Sequence, residues 1–156
     1  MFWTNHLQNP QIERLALPSY RKITVVSENL NDILAITVEQ EMDILLWSTR
    51  WSNKIEYTDL DGQRRAELYA ETNLYPISLS TLSKYLFWVD KEKKNIEKVS
   101  LDLHTGRSKQ TIFSKLSSLT DIISVALMKR NSSTMFCLVN IFNITDFFWG
   151  NISLGN

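Results

Sequence analysis

This chain of 156 residues has one cysteine, two histidines, three prolines and four glycines. Each scarcity removes a class of reading. Cys137 alone makes no internal disulfide and no Cys-x-x-Cys redox or zinc pair. The glycines, at 62, 106, 150 and 155, are too scattered for a phosphate-cradling or dinucleotide loop. With only His6 and His104, a histidine-rich metal site is excluded, and a Ser-His-Asp triad would have to use one of these two. Neither His-Glu-x-x-His nor Gly-x-Ser-x-Gly occurs, so the sequence points to no enzyme and no cofactor. Charge of one sign is missing as well. Seventeen basic and seventeen acidic side chains cancel, leaving no global field to draw in nucleic acid or an anionic membrane. Long apolar runs are absent too: the stretch 135–155 is interrupted by Asn140, Asn143, Asp146 and Asn151, so no span of about 18 apolar residues crosses a bilayer. Met1 is followed at once by Phe2-Trp3-Thr4, which reads as a strand interior and not as a secretory leader. The expectation is a fragment or an incomplete gene model.

What the chain does have is a repeat. Phe2-Trp3-Thr4-Asn5 returns as Leu46-Trp47-Ser48-Thr49 and as Phe87-Trp88-Val89-Asp90, at intervals of 44 and 41 residues. Behind each tryptophan comes an Ile-Glu pair: Ile12-Glu13, Ile55-Glu56 and Ile96-Glu97. Four residues after each glutamate stands Leu17, Leu60 or Leu101. Basic residues keep the same register, as Arg21-Lys22, Arg64-Arg65 and Arg107 with Lys109. Short β-branched or aromatic runs follow, and each unit closes on a further apolar run (32–38, 75–80, 121–127). Turn residues such as Asp61-Gly62 and Thr105-Gly106 separate them. Four short strands in a period of about 43 residues describe a propeller blade. The predicted fold is all-β, a partial β-propeller of about three four-stranded blades plus a degenerate fourth. Its units are approximately 1–43, 44–84 and 85–135, with 136–156 either a degenerate fourth blade or an unrelated tail. In this reading Phe87–Asp90 and Ile96–Asp102 are the first and second strands of one blade, and each tryptophan is a plug between blades.

Taken together, the Trp marks, the Ile-Glu pairs, the Leu60-Asp61-Gly62 turn and the basic pairs resemble the LDL-receptor class B, or YWTD, repeat, as found in the large LDL-receptor-related proteins. The likeness covers residues 1–127. It departs from the pattern where Phe2, Leu46 and Phe87 replace the tyrosine, and where Asn5 and Thr49 replace the aspartate kept as Asp90. A fourth unit would start at Phe136, with Cys137 in the tryptophan place. The resemblance implies an extracellular ligand-binding or structural propeller of a cell-surface receptor, endocytic or signalling, and no enzyme. Its implied partners are protein ligands and neighbouring EGF-like modules, and the parent protein would be single-pass. Three Asn-x-Ser/Thr sequons, at Asn131, Asn143 and Asn151, are candidate N-glycosylation sites that suit a secretory route. Two other readings stay open: a six-bladed calcium-dependent hydrolase of lactonase type, with Glu13, Glu56 and Glu97 as its carboxylates, and a receptor tyrosine kinase ectodomain with similar repeats. Against the hydrolase, those glutamates are expected to pair with Arg or Lys between blades. The basic residues Arg21, Lys22, Arg64, Arg65, Arg107 and Lys109 are expected on one rim, where they could steer acidic partners. His6 and His104 are candidates for acid-driven ligand release.

Overall fold

The computed structural model describes residues 1–6, 8–102, 108–115, 121–129, 132–140 and 151–152, the last three stretches as backbone. Every regular element among them is a strand. Alternating apolar and β-branched runs, broken by polar turns, leave helical periodicity nothing to build on. The chain divides into two compact units, Met1–Pro76 and Ile77–Asn156.

In the first unit β1 (Phe2–Asn5), β2 (Gln11–Ala16) and β3 (Arg21–Val26) form an antiparallel meander. Next come β4 (Ile33–Glu39), β5 (Ile44–Thr49), β6 (Lys54–Asp59) and β7 (Ala66–Ala70), in the sheet order β4-β5-β6-β7. One core serves both sheets: Ile12, Val25 and Val26 of the first meet Ile33, Leu45 and Trp47 of the second, with Leu30 from the connection. Trp47 is wholly buried in that core. Gly62 marks a second contact between the two sheets. Its φ is +81°, and a Cβ at this position would lie 2.1 Å from the Val25 carbonyl oxygen, so only glycine fits the close approach.

The second unit holds β8 (Pro76–Leu82), β9 (Tyr85–Asp90), β10 (Asn95–Ser100) and β11 (Gln110–Phe113), ordered β11-β10-β9-β8. Strands β12 (Asp121–Lys129), β13 (Ser132–Asn140) and β14 (Asn151–Ile152) form a three-stranded sheet. Phe87, Val89 and Ile96 form a buried cluster, against which Ile77, Leu82, Tyr85, Ile112 and Phe113 pack. Strand β10 is buried on both faces from Asn95 to Val99. That explains the weak alternation of "NIEKVS", because a sheet covered on both sides has no wet face to mark.

The sheets are phased one strand away from the repeat. The run that closes the first repeat is β4, which hydrogen-bonds to β5 of the next sheet and not to β3. Phe87–Asp90 and Ile96–Ser100 therefore lie in the second and third strands of their sheet, not the first and second. The physical reason is the connection. Leu30 buries the β3–β4 link at the first unit's core, which carries the chain across to the neighbouring sheet before β4 starts.

Candidate functional site

Each repeat builds the same small device, and it consumes much of what the sequence offered as functional. Antiparallel register sets Trp3 opposite Glu13, Trp47 opposite Glu56 and Trp88 opposite Glu97. Immediately before each glutamate the pairing to the third strand slips, between Ile12 and Glu13, Ile55 and Glu56, and Ile96 and Glu97. The third strand carries one extra residue at each slip: Val25, Leu68 and Ile112. Such a bulge bends the strand and re-aims the side chains beside it. In all three sheets a cation two residues before the glutamate's partner then reaches across to the carboxylate.

Glu13 accepts a hydrogen bond from Trp3 Nε1 (2.9 Å) and pairs with Lys22 Nζ (2.6 Å). Glu56 is held by both Nε (3.1 Å) and a terminal nitrogen (2.9 Å) of Arg65, and by Lys54 Nζ at 3.1 Å. Glu97 accepts from Asn95 Nδ2 (3.0 Å) and pairs with Lys109 Nζ (2.8 Å). All three glutamates are buried, and a buried carboxylate needs such partners to stay charged. For Glu56, burial pushes the carboxyl pKa up, but the hydrogen bonds and charges of Arg65 and Lys54 outweigh it and hold the group below its ordinary value. Arg65 does more than neutralise. It donates to the Glu28 carbonyl (2.5 Å) and the Asn29 carbonyl (3.4 Å), and its guanidinium lies 5.3 Å over the Trp47 ring.

These contacts correct one expectation. The glutamates pair with cations of their own sheet and not between blades, because the bulge brings the third strand's cation diagonally over them. Each has its own basic partner. Of the basic residues read as a rim, Arg65 and Lys109 pair with Glu56 and Glu97 of their own sheets, and Lys22 pairs with Glu13 although its own side chain is 60% exposed. Arg21 is exposed, Arg64 is exposed beside Asp59 (3.2 Å), and Arg107 lies outside the described residues. The fourth motif position is a turn device. Asp90 is fully buried, and its Oδ1 accepts the Lys93 amide at 3.0 Å, closing the β9–β10 turn. In the Leu60-Asp61-Gly62 turn, Asp59 Oδ1 accepts the Gln63 amide at 2.8 Å, and Asp61 pairs with Arg14 of the first sheet. His6 is exposed, with Nε2 2.9 Å from Thr4 Oγ1. His104, Asn131 and Asn143 lie outside the described residues, as does the Asn151 side chain.

One surface patch was not legible in the repeat. Trp51, in the β5–β6 turn, is 82% exposed and sits at φ +71°, a backbone region that bulky side chains rarely occupy. Arg50 lies 5.9 Å from the Trp51 ring and 5.8 Å from the Tyr75 ring, with Nε 2.9 Å from Asp32 Oδ2. The result is an exposed aromatic-cation cluster on an end of the first unit, its arginine already neutralised. A groove of about 340 Å³ runs beside the same turn, lined by Ser52, Asn53, Lys54, Glu67, Glu71 and Thr72 among others. A sequence signal existed: Trp51 is an aromatic residue inside the polar turn Thr49–Asn53, outside the repeat register.

Antiparallel sheets built on a recurring Trp-strand, Ile-Glu-strand and basic third strand define the class. The chain is a partial β-propeller of LDL-receptor class B (YWTD) repeats. No family model matches it. Low-density lipoprotein receptor-related protein 4 of Homo sapiens is 30% identical over 105 residues, 67% of this chain and 5% of its own length. Low-density lipoprotein receptor-related protein 5 of Homo sapiens is 30% identical over 115 residues, 74% of this chain and 7% of its own length. The chain thus spans less than a tenth of the length of these relatives. Among solved structures, the crystal structure of a nidogen/laminin complex shares the fold, with a TM-score of 0.65 at 21% identity. That match covers 88% of this chain and 51% of the other.

Proposed function

We propose that the chain is an extracellular binding module of a receptor-type protein, taking a protein ligand at the Trp51, Arg50 and Tyr75 patch, and that it is not an enzyme. The observation that carries this is Trp51. A large ring in the left-handed backbone region costs roughly 1–2 kcal/mol, and at 82% exposure packing does not repay it. Ten other non-glycine residues among those described, the exposed Tyr20 included, also have positive φ. What singles Trp51 out is the company of Arg50 and Tyr75, since Trp, Tyr and Arg are the residues that dominate protein-protein contacts. The relatives named as lipoprotein receptor-related proteins support a receptor setting, and the nidogen/laminin complex supports a fold used between proteins. EGF-like neighbours, an endocytic or signalling role and glycans at Asn131, Asn143 and Asn151 belong to the same proposal. Arg21, Lys22 and Arg64 of the basic set are exposed cations that could steer an acidic ligand.

The test is selection of a phage-displayed peptide library on the full chain, with each selected peptide then measured on Trp51→Ala and Tyr75→Ala. Loss of about tenfold or more in affinity on either variant is expected. Peptides that bind both variants as tightly as the parent would place recognition elsewhere and sink the reading.

A further inference from the structure

The β5–β6 and β7–β8 turns are tied together at one end of the first unit. Glu71 N–H donates to the Asn53 carbonyl (3.1 Å), and Leu74 N–H donates to the Glu71 carbonyl (3.1 Å). Ser52 Oγ donates to the Thr49 carbonyl (3.2 Å), and the Tyr69 hydroxyl donates to Glu71 Oε2 (3.0 Å), which sets that carboxylate in place. Against these turns lies the groove of about 340 Å³, a volume near the lower end for small-ligand sites. Its lining selects a ligand class. Among the described residues Ala70 is its one apolar wall, and the rest offer hydroxyls, the Asn53 amide, an ammonium and two carboxylates. An apolar peptide anchor finds no pocket in such a lining, whereas a hydroxylated ligand finds donors and acceptors together. One residue before the groove stands the exposed ring of Trp51, with Tyr75 on the other side of Arg50.

We propose that this end of the first unit takes a neutral pyranose sugar of a glycan, with its C–H face on Trp51 and its hydroxyls on Asn53 and Glu71. The proposal rests on the Trp51 patch being the binding face, and it specifies that the protein ligand is a glycoprotein read through its sugar. A pyranose presents an apolar, faintly positive C–H face and a rim of hydroxyls. The face stacks on the negative π-surface of an aromatic ring, and the rim needs polar side chains close by. Charge narrows the class to neutral sugars. Arg50 is paired with Asp32 (2.9 Å) and Lys54 with Glu56 (3.1 Å). The groove itself sets the single cation Lys54 against Glu67 and Glu71, a net charge of −1, which disfavours sialylated or sulfated sugars.

The experiment applies the full chain to an array of immobilised neutral, sialylated and sulfated oligosaccharides, and measures the strongest neutral binder in solution by titration calorimetry. The expected result is saturable binding to neutral glycans. Trp51→Ala weakens it about tenfold or more, Trp51→Phe keeps most of it because a ring remains, and Glu71→Gln weakens it about three- to tenfold through loss of a charged acceptor. Tyr20→Ala, which removes an exposed ring elsewhere, leaves it unchanged. No neutral glycan bound, binding confined to sialylated or sulfated glycans, or neutral binding undiminished in both Trp51→Ala and Glu71→Gln overturns the proposal. The two readings fail separately. Selected peptides that weaken on Trp51→Ala while no neutral glycan binds overturn the sugar and leave the protein-binding patch standing. Neutral glycans lost on Trp51→Ala while selected peptides are untouched uphold the sugar and move bare-polypeptide recognition elsewhere.

Discussion

Replacing Arg65 by alanine separates the two roles open to the repeat's basic residues. The substitution strips Glu56 of its two-pronged partner and the Glu28 and Asn29 carbonyls of a donor, and it removes the cation over Trp47. The Glu56 side chain is 8% exposed. Breaking a buried ion pair from one side costs roughly 3–5 kcal/mol, because the remaining charge is stranded. Lys54 stays 3.1 Å from the same carboxylate, which puts Arg65→Ala at the low end, near ~3 kcal/mol. For a domain of this size that corresponds to a fall in melting temperature of about 6–12 °C. The control is the adjacent Arg64, whose side chain is 85% exposed beside Asp59; its alanine variant should change stability by less than about 0.5 kcal/mol. Adding Glu56→Gln to Arg65→Ala should restore part of the loss, since the stranded charge is then gone. Urea unfolding of the four proteins measures all of this. Equal, small effects of Arg65→Ala and Arg64→Ala would refute the assignment of Arg65 to an internal strut.

The other expectations concern pH, backbone and packing. Glu56 titrates below its ordinary value of 4.5 in the folded chain, so the stability it confers is complete at neutral pH and is lost as pH falls from about that value through the folded one. Urea midpoints against pH should therefore decline less steeply below that point for Glu56→Gln than for the parent, and parallel curves would contradict the cause given. Gly62→Ala should destabilise by about 1–3 kcal/mol, from strain at positive φ and the clash with Val25, and a neutral result in thermal melts would show that the turn can move. Trp51→Gly should raise stability by up to about 1 kcal/mol while abolishing ligand binding, because it relieves the left-handed backbone and removes the exposed ring; a destabilised variant would show that Trp51 packs after all.

How much of this was readable beforehand depended on whether a feature repeats. Trp3, Trp47 and Trp88 share a register with Glu13, Glu56 and Glu97, so strand class and the succession of the two strands follow from spacing, whereas the Trp–Glu pairing across them was seen only in the fold. Strand period fixes the faces but not the assignment of strands to sheets: Ile33–Glu39 has the same pattern whether it pairs with β3 or β5, and burial of Leu30 in the connection decides. The bulge before each glutamate is a register slip of one residue, and Val25, Leu68 and Ile112 carry no marker for it. That slip brings Lys22, Arg65 and Lys109 to the glutamates of their own sheets, a pairing that the row of basic residues does not announce. Arg50, Trp51 and Tyr75 come from two separate turns, and only folding brings them together.

The most direct test of the functional account is a hydrogen-exchange footprint of one library-selected peptide on the full chain. The account predicts protection concentrated in the β5–β6 turn around residues 50–53 and in the segment around Tyr75. Protection confined to other surfaces, with those two segments unchanged, would contradict it.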